Sequence, residues 1–164
     1  MSATTKKILV VNSKGGSGKT TIATLLYQLF KDLGYGVGLI STIHNVINDT
    51  ILESTHTTPD SISLNSLLAK MVDAGCEYAF MEVSSHAVEQ GRIAGLEFDI
   101  ALFTNISRDH LDYHKTFDAY ILAKKKFFDS LSSKSIAIVN KDDKHGATML
   151  HHSKASKRTI ALRS

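Results

Sequence analysis

Apolar positions fall into two rhythms along the chain, short unbroken runs and longer stretches with a helical period, and the two alternate. The first run is Lys7 to Asn12 (KILVVN). A glycine-rich stretch follows, and then a helical pattern from Lys19 to Leu33 sets Ile22, Leu25, Leu26, Leu29 and Phe30 on one side. Gly34 stands where a helix C′ residue is expected, and Val37 to Ser41 (VGLIS) predicts a second strand. A polar connection through Pro59, the single proline, leads to Asp60 or Ser61. Either can cap a helix with apolar positions Ile62, Leu64, Leu67, Leu68, Met71 and Val72, closed by Gly75.

Further on, Tyr78 to Val83 (YAFMEV) and Ile100 to Asn105 (IALFTN) read as buried strands, with a short helix near Ala87 to Gln90 between them. A helix from about Thr116 to Leu131, a strand Ser135 to Asn140 (SIAIVN), a helix between Lys144 and His151 and a last strand Arg158 to Leu162 complete the pattern. Strands alternating with helices predict parallel βαβ units and helices on both faces of one sheet, an α/β fold. No internal repeat interrupts the alternation.

Composition narrows this picture only slightly. A chain of 164 residues with 43% hydrophobic content suits one compact domain, which at this size buries roughly 70% of its unfolded surface. The formal net charge of +3 is spread along the chain, apart from Lys124 to Lys126 and the tail from Lys154 to Arg163, and does not argue for nucleic acid. A single cysteine, Cys76, rules out an internal disulfide and fits a reducing compartment. With no apolar run long enough for a membrane span and no secretory signal in Met1 to Lys7, the expectation is a cytoplasmic protein without a membrane span.

Candidate chemistry begins between the first strand and the first helix, at Ser13-Lys14-Gly15-Gly16-Ser17-Gly18-Lys19-Thr20-Thr21. This is the setting a phosphate-binding loop requires. Glycines let backbone N–H groups turn inward around phosphates, the helix N-terminus adds its positive end, Lys19 reaches the β and γ phosphates, and the Thr20 hydroxyl can bind Mg²⁺. Ser13 stands where the strict pattern has glycine, so the loop is a variant. The fold expected is therefore a P-loop NTPase-like three-layer α/β/α arrangement with a mainly parallel sheet, binding a nucleotide with Mg²⁺.

The letters K-G-G-x-G-K-T-T, preceded by K-I-L-V-V-N-S, are similar to the ParA/MinD class of partitioning ATPases, in which the early lysine, here Lys14, reaches the nucleotide of a partner subunit. That class carries an aspartate-rich turn and an Asp-x-x-Pro where this chain has Ser41 to Asn45 and Glu82-Val83-Ser84-Ser85, so the resemblance stops near the end of the first helix.

From about Gly34 to His145 the sequence resembles the central ATP-binding domain of the Mur ligases, the amide-forming enzymes of peptidoglycan synthesis. It is most similar to the MurE type, which adds the third amino acid of the peptide stem to UDP-N-acetylmuramoyl-dipeptide. The motifs, in order, are L-G-Y-G-V-G-L-I-S-T, H-T-T-P-D, M-E-V-S-S-H-A, T-N-I-S-R-D-H-L-D-Y-H, A-K-K-K-F-F and V-N-K-D-D. The family has G-T-N-G-K-T where this chain has Gly15 to Thr20. One expectation is therefore a single nucleotide-binding domain over residues 1–164, ParA-like to about residue 33 and Mur-like but truncated beyond it, as in a recombinant or designed chimera.

Glu82 ends an apolar strand, which places a carboxylate at the carboxyl edge of a parallel sheet, where an acid can hold Mg²⁺ directly or through water; a solvated strand end is the plain alternative. The resemblance implies that Glu82 is the family's magnesium ligand and His110 the ligand of a second magnesium. The helical positions Phe117, Ile121, Lys124, Phe128 and Leu131 have offsets of 0, 4, 7, 11 and 14, which puts Lys124 on the buried stripe and turns Lys125 and Lys126 toward solvent. A snorkelling stem is the alternative for Lys124. In Mur ligases the corresponding lysine is carbamylated, and this resemblance implies the same for Lys124.

By resemblance alone, Thr57, Thr58, Ser84, Gln90 and Arg92 match positions that contact the UDP-MurNAc-peptide, and Asn140 and Asp143 match a stretch near the nucleotide base. The family transfers the γ-phosphoryl of ATP to a substrate carboxylate, and an amino group attacks the acyl phosphate. Lys19 and magnesium would neutralise the developing charge. Here the expectation is nucleotide binding without unaided ligation, against two alternatives: a dimerising ParA/MinD-like ATPase and an inactive folded scaffold.

Overall fold

Backbone pairing rather than side-chain chemistry sets the frame of this chain. The computed structural model describes residues 8–12, 19–53, 57–106 and 111–161. Strands β1 (Ile8–Asn12), β2 (Val37–Ile40), β3 (His44–Ile47), β4 (Thr50–Glu53), β5 (Tyr78–Glu82), β6 (Ile100–Phe103), β7 (Ile136–Asn140) and β8 (Ser156–Ile160) form one sheet in the order β4-β3-β2-β5-β1-β6-β7-β8. The strands from β2 across to β8 are mutually parallel, with Val10 of β1 opposite Met81 on one side and Ala101 on the other. Helices α1 (Lys19–Asp32), α2 (Ser61–Asp73), α3 (Ser85–Glu89), α4 (Leu111–His114), α5 (Phe117–Asp129) and α6 (Gly146–Leu150) fill the connections.

Alternation along β5 separates the layers: Tyr78 and Phe80 pack with Ala23, Tyr27 and Phe30 of α1, while Ala79 and Met81 join the larger core with Leu64 and Met71 of α2, Phe127 and Phe128 of α5, and Met149 of α6. The result is the expected three-layer α/β/α fold with a mainly parallel sheet. Helix ends follow the sequence signals. Asp60 caps α2 by accepting from the Ile62 and Ser63 N–H groups at 3.0 Å, and Gly34 and Gly75 close α1 and α2. Among the described residues no helix is long and apolar enough to cross a membrane. Cys76 is buried just past α2, and desolvation pushes its thiol up, away from the reactive thiolate.

Three features differ from the sequence pattern. The polar connection after β2 contains an antiparallel hairpin, β3 and β4, turned at Asn48-Asp49 with Asn48 at φ 51°. Asn tolerates that conformation, and its Oδ1 accepts from the Val37 N–H at 3.0 Å while its Nδ2 donates to the Ala74 carbonyl at 2.9 Å. Leu25 and Leu29 are 61% and 52% exposed, because only the arc of α1 through Ile22, Ala23, Leu26, Tyr27 and Phe30 reaches the sheet. The last strand is Ser156–Ile160 rather than Arg158–Leu162; it is an exposed edge strand, so hydrophobic patterning carries little information about its position.

Gly36 marks the tightest backbone approach in this frame, since a Cβ there would collide with the Gly75 carbonyl group. Neither partner can move without shifting the start of β2 or the end of α2. Gly36→Ala is expected to lower stability by about 1–3 kcal/mol in urea unfolding, the usual cost of overpacking.

Candidate functional site

Parallel strands deliver their carboxyl ends to one edge of the sheet, and the sequence-predicted site residues gather there. Central β1 ends at Asn12, and α1 starts at Lys19. Strand, connection and helix are thus in the arrangement a phosphate loop needs, with Lys19, Thr20 and Thr21 in the first turn of the helix, whose N-terminal N–H groups lack intrahelical acceptors. The positions Lys14, Gly15, Gly16, Ser17 and Gly18 lie outside the described residues, as does His110.

Glu82 closes β5 and is 0% exposed. Its carboxylate accepts from Thr42 through the backbone N–H at 3.4 Å and the hydroxyl at 3.2 Å, and Thr42 Oγ1 also lies 3.2 Å from Thr57 Oγ1. Thr58 is buried and donates its hydroxyl to the Glu82 carbonyl at 2.9 Å, and its Oγ1 accepts from the Ser84 N–H at 3.4 Å. The structure therefore joins Thr57, Thr58, Glu82 and Ser84 in one network. Thr42 belongs to it without having been singled out; its signal was its place at the end of the L-G-Y-G-V-G-L-I-S-T motif.

Ser84 caps α3 through Ala87 N–H at 3.1 Å, and Gln90 is the C-cap of the same helix. Gly91 then takes φ 65°, a conformation side chains disfavour, and its N–H bonds the Val88 carbonyl while that of Arg92 bonds the Ala87 carbonyl at 2.9 Å. This closing turn aims Arg92 back across the loop. Its Nη1 donates to the Thr58 carbonyl at 2.7 Å and its Nε to Gln90 Oε1 at 2.8 Å. Asp60, Ser61, Gln90 and Arg92 line a cavity of about 330 Å³, so the second half of the predicted substrate set shares one opening with the N-terminus of α2.

Lys124 is 1% exposed on α5, as its helical phase predicts, with Nζ 5.1 Å from the centre of the Tyr120 ring. Lys126 reaches solvent and pairs with Glu89 at 2.6 Å. Lys125 departs from expectation: it is 8% exposed, folded down onto Asp129 at 2.6 Å and 3.2 Å from His152 Nδ1. The end of α6 covers this side of α5, which an isolated helix wheel does not show.

Asn140 and Asp143 serve the turn after β7. Asn140 Oδ1 accepts from the Asp142 N–H at 3.0 Å, and Asp143 accepts from the Ile106 N–H at 2.9 Å and the His145 N–H at 2.8 Å. The pair thereby ties the ends of β6 and β7 together. Among the described residues no three His, Cys, Asp or Glu side chains converge. What the edge does offer a cation is the fully buried Glu82 carboxylate, held among the described residues by two long hydrogen bonds from Thr42, and a buried Thr104 hydroxyl without a hydrogen-bond partner among those residues. Both are oxygen donors of the kind magnesium takes, so these residues fit the ion.

A central strand running into a helix N-terminus, flanked by a strand that ends on a buried acid, defines an α/β fold of the P-loop kind. The model of the Mur ligase middle domain matches residues 15–163, and the chain belongs to that family. It is 55% identical over 97% of its length to a UDP-N-acetylmuramoyl-L-alanyl-D-glutamate–2,6-diaminopimelate ligase from Parabacteroides distasonis, and 58% identical over 95% to the protein of that name from Cytophaga hutchinsonii. The chain spans about a third of the length of these relatives, 33% and 32%. A solved structure of a ligase of this name aligns with 96% of the chain and 32% of its own at a TM-score of 0.84 and 32% identity. Escherichia coli FolC in complex with DHPP and ADP shares the fold, with a TM-score of 0.63 and 20% identity over 94% of this chain and 42% of that one. Nothing in these matches sets residues 1–33 apart, since the family match starts at residue 15 and the alignments to both relatives cover almost all of the chain.

Hydrogen bonds from Ser63, side chain first and backbone second, hold the Asp60 carboxyl below its ordinary range. A folded pKa depressed in this way gives stability that is fully present above the unfolded value near 4 and disappears as pH falls through the folded value. Asp60→Ala is expected to lower the thermal midpoint at neutral pH, with the gap to the parent chain closing as melts are recorded below about pH 4.

Proposed function

We propose that this chain is the ATP- and Mg²⁺-binding part of a ligase that joins an amino acid to UDP-MurNAc-dipeptide, with 2,6-diaminopimelate as the amino acid named for its relatives. The observation that carries the reading is the contact network at the carboxyl edge of the sheet. It holds Thr57, Thr58, Glu82, Ser84, Gln90 and Arg92 together beside the start of α1. Family membership supplies the reaction class.

In this reading the first turn of α1 and Lys19 receive the phosphates, and Thr20, Glu82 and His110 hold magnesium. When bound, the ion offsets charge that develops as the γ-phosphoryl moves to the substrate carboxylate. Arg92, already directed by two hydrogen bonds, presents a fixed cationic fork to an anionic part of the UDP-MurNAc-peptide. Asn140 lies toward the nucleotide base. Lys124 is carbamylated: its ammonium gives up one proton, and the neutral amine adds to the carbon of CO₂ and releases a second, so that a buried cation becomes an anion. Burial at 1% exposure supports this, because it sets the side chain inside the domain on the buried stripe of α5 rather than as a stem snorkelling to water. The ligation reaction needs surfaces beyond those described, so this chain alone binds nucleotide without ligating.

Titration with labelled ATP and Mg²⁺ checks the core of the proposal. The parent chain is expected to bind, and Lys19→Ala to bind about 10- to 100-fold more weakly, the loss of a charged hydrogen bond worth about 1.5–3 kcal/mol; absence of binding by the parent chain at millimolar ATP would leave an inactive scaffold. Intact mass spectrometry under gentle conditions with CO₂ is expected to show one added CO₂ that Lys124→Ala abolishes. An unmodified parent mass would rule out the carbamate.

A further inference from the structure

One cluster in the site has no part in the roles above. His114, the last residue of α4, is buried, with Nε2 2.9 Å from Ser85 Oγ in a buried hydrogen bond. Its ring stacks on Tyr120 of α5 at 5.2 Å between centroids and 29° between planes, and Tyr120 is the same ring that carries the Lys124 ammonium. The neighbouring Tyr113 lies against His86 at 4.1 Å and accepts from Gln90 Nε2 at 3.4 Å. Short α4 thus touches both ends of α3 and, through Tyr120, the helix of Lys124.

From this arrangement we infer that His114 is a positioning residue, a clamp that sets the substrate-side helix α3, with Ser84, Gln90 and Arg92 at its ends, at a fixed distance from Lys124. Two considerations carry the inference. First, α3 has five residues, too few to hold its own place, and its exposed tie to α5 is the Lys126–Glu89 pair, of a kind that contributes little. Second, the His114–Ser85 bond joins positions 29 apart in sequence and is shielded from water, so it constrains geometry where the surface pair does not. His114 touches neither nucleotide nor substrate in this scheme; it acts through Ser85 and Tyr120.

The functional consequence rests on the ligase reading, while the clamp itself does not, and two measurements separate them. His114→Phe keeps a ring beside Tyr120 and removes the bond to Ser85; His114→Gln restores a side-chain amide within reach of Ser85 and removes the ring. Hydrogen exchange on the full 164-residue chain is expected to show amides of residues 85–92 opening about tenfold faster in His114→Phe and near the parent rate in His114→Gln, with α1 unchanged in both. Calorimetry is expected to show UDP-MurNAc-dipeptide binding weakened about 10- to 100-fold in His114→Phe and rescued in His114→Gln, while Mg·ATP binding stays within about twofold. Unchanged exchange over residues 85–92, or acceleration spread evenly over the chain, overturns the clamp. A parent chain that binds neither ligand defeats the ligase reading instead, and the exchange pattern still decides the clamp.

Discussion

Parallel pairing of β1 between β5 and β6 is the constraint on which the rest of the structure depends. Both neighbours run in its direction, so Asn12, Glu82 and Phe103 reach the same edge of the sheet within a residue or two of one another. A parallel strand has to be re-entered from the opposite edge, and each return takes a crossover that begins at this edge. The end of β1, the acidic end of β5, the end of β6 and the turn after β7 therefore share one rim, although almost 130 residues separate the first from the last. A glutamate at the end of an antiparallel strand in this position would lie on the far side.

The order of those crossovers decides which face each helix takes. From β1 to β2 the chain moves toward the hairpin side of the sheet, and α1 is the helix of that step. The later returns, into β5, β6, β7 and β8, all move the other way. Right-handed connections send opposite moves to opposite faces, which agrees with α2, α5 and α6 sharing the larger core while α1 packs apart from them. Two consequences follow. Residues on α3 and α5 become neighbours, which is what lets Ser85, His114, Tyr120 and Lys124 meet. On the other face, Leu26 and Phe30 of α1 border an apolar groove of about 500 Å³ with Leu102, Ile138 and Ile160, and Leu25, Leu29 and Leu33 stay exposed beside it.

How far the sequence can be read follows from the same distinction between local and long-range causes. Strands β1, β2, β5, β6 and β7 were legible because each appears as an apolar run, a run that β2 and most of β5 bury on both sides and β6 and β7 bury fully at alternate positions. Lys124 was legible because its neighbours at Phe117, Ile121 and Phe128 fix the helical phase. Lys125 was not, since α6 and His152 cover it from more than 20 residues away. Hairpin β3–β4 is half exposed, so its alternation is weak, and the cue was a single turn at Asn48-Asp49. In the site, Glu82 could be placed from its strand, yet Thr42 and Ser85 are small polar residues in loops and helix starts, indistinguishable by type from dozens of others. Only the fold shows that they face Glu82 and His114.

Two buried ionisable side chains, Glu82 and Lys124, are the places where the sequence works against a plain apolar core. Each lies below 2% exposure at a position where leucine would pack more cheaply, and taking a charge out of water at such a place carries a desolvation penalty that its surroundings have to offset. The chain retains both, with the Thr42 backbone N–H and hydroxyl beside the carboxylate and the Tyr120 ring face beside the Lys124 Nζ. A fully buried acid at the carboxyl edge of a parallel sheet and a fully buried lysine on a neighbouring helix suit the proposed reading, in which a bound cation faces the one and a chemical modification alters the other. The network of Thr58, Ser85, His114 and Arg92 adds long-range hydrogen bonds between the elements around them, so both side chains sit in a frame held by contacts between positions 24 to 34 apart in the chain.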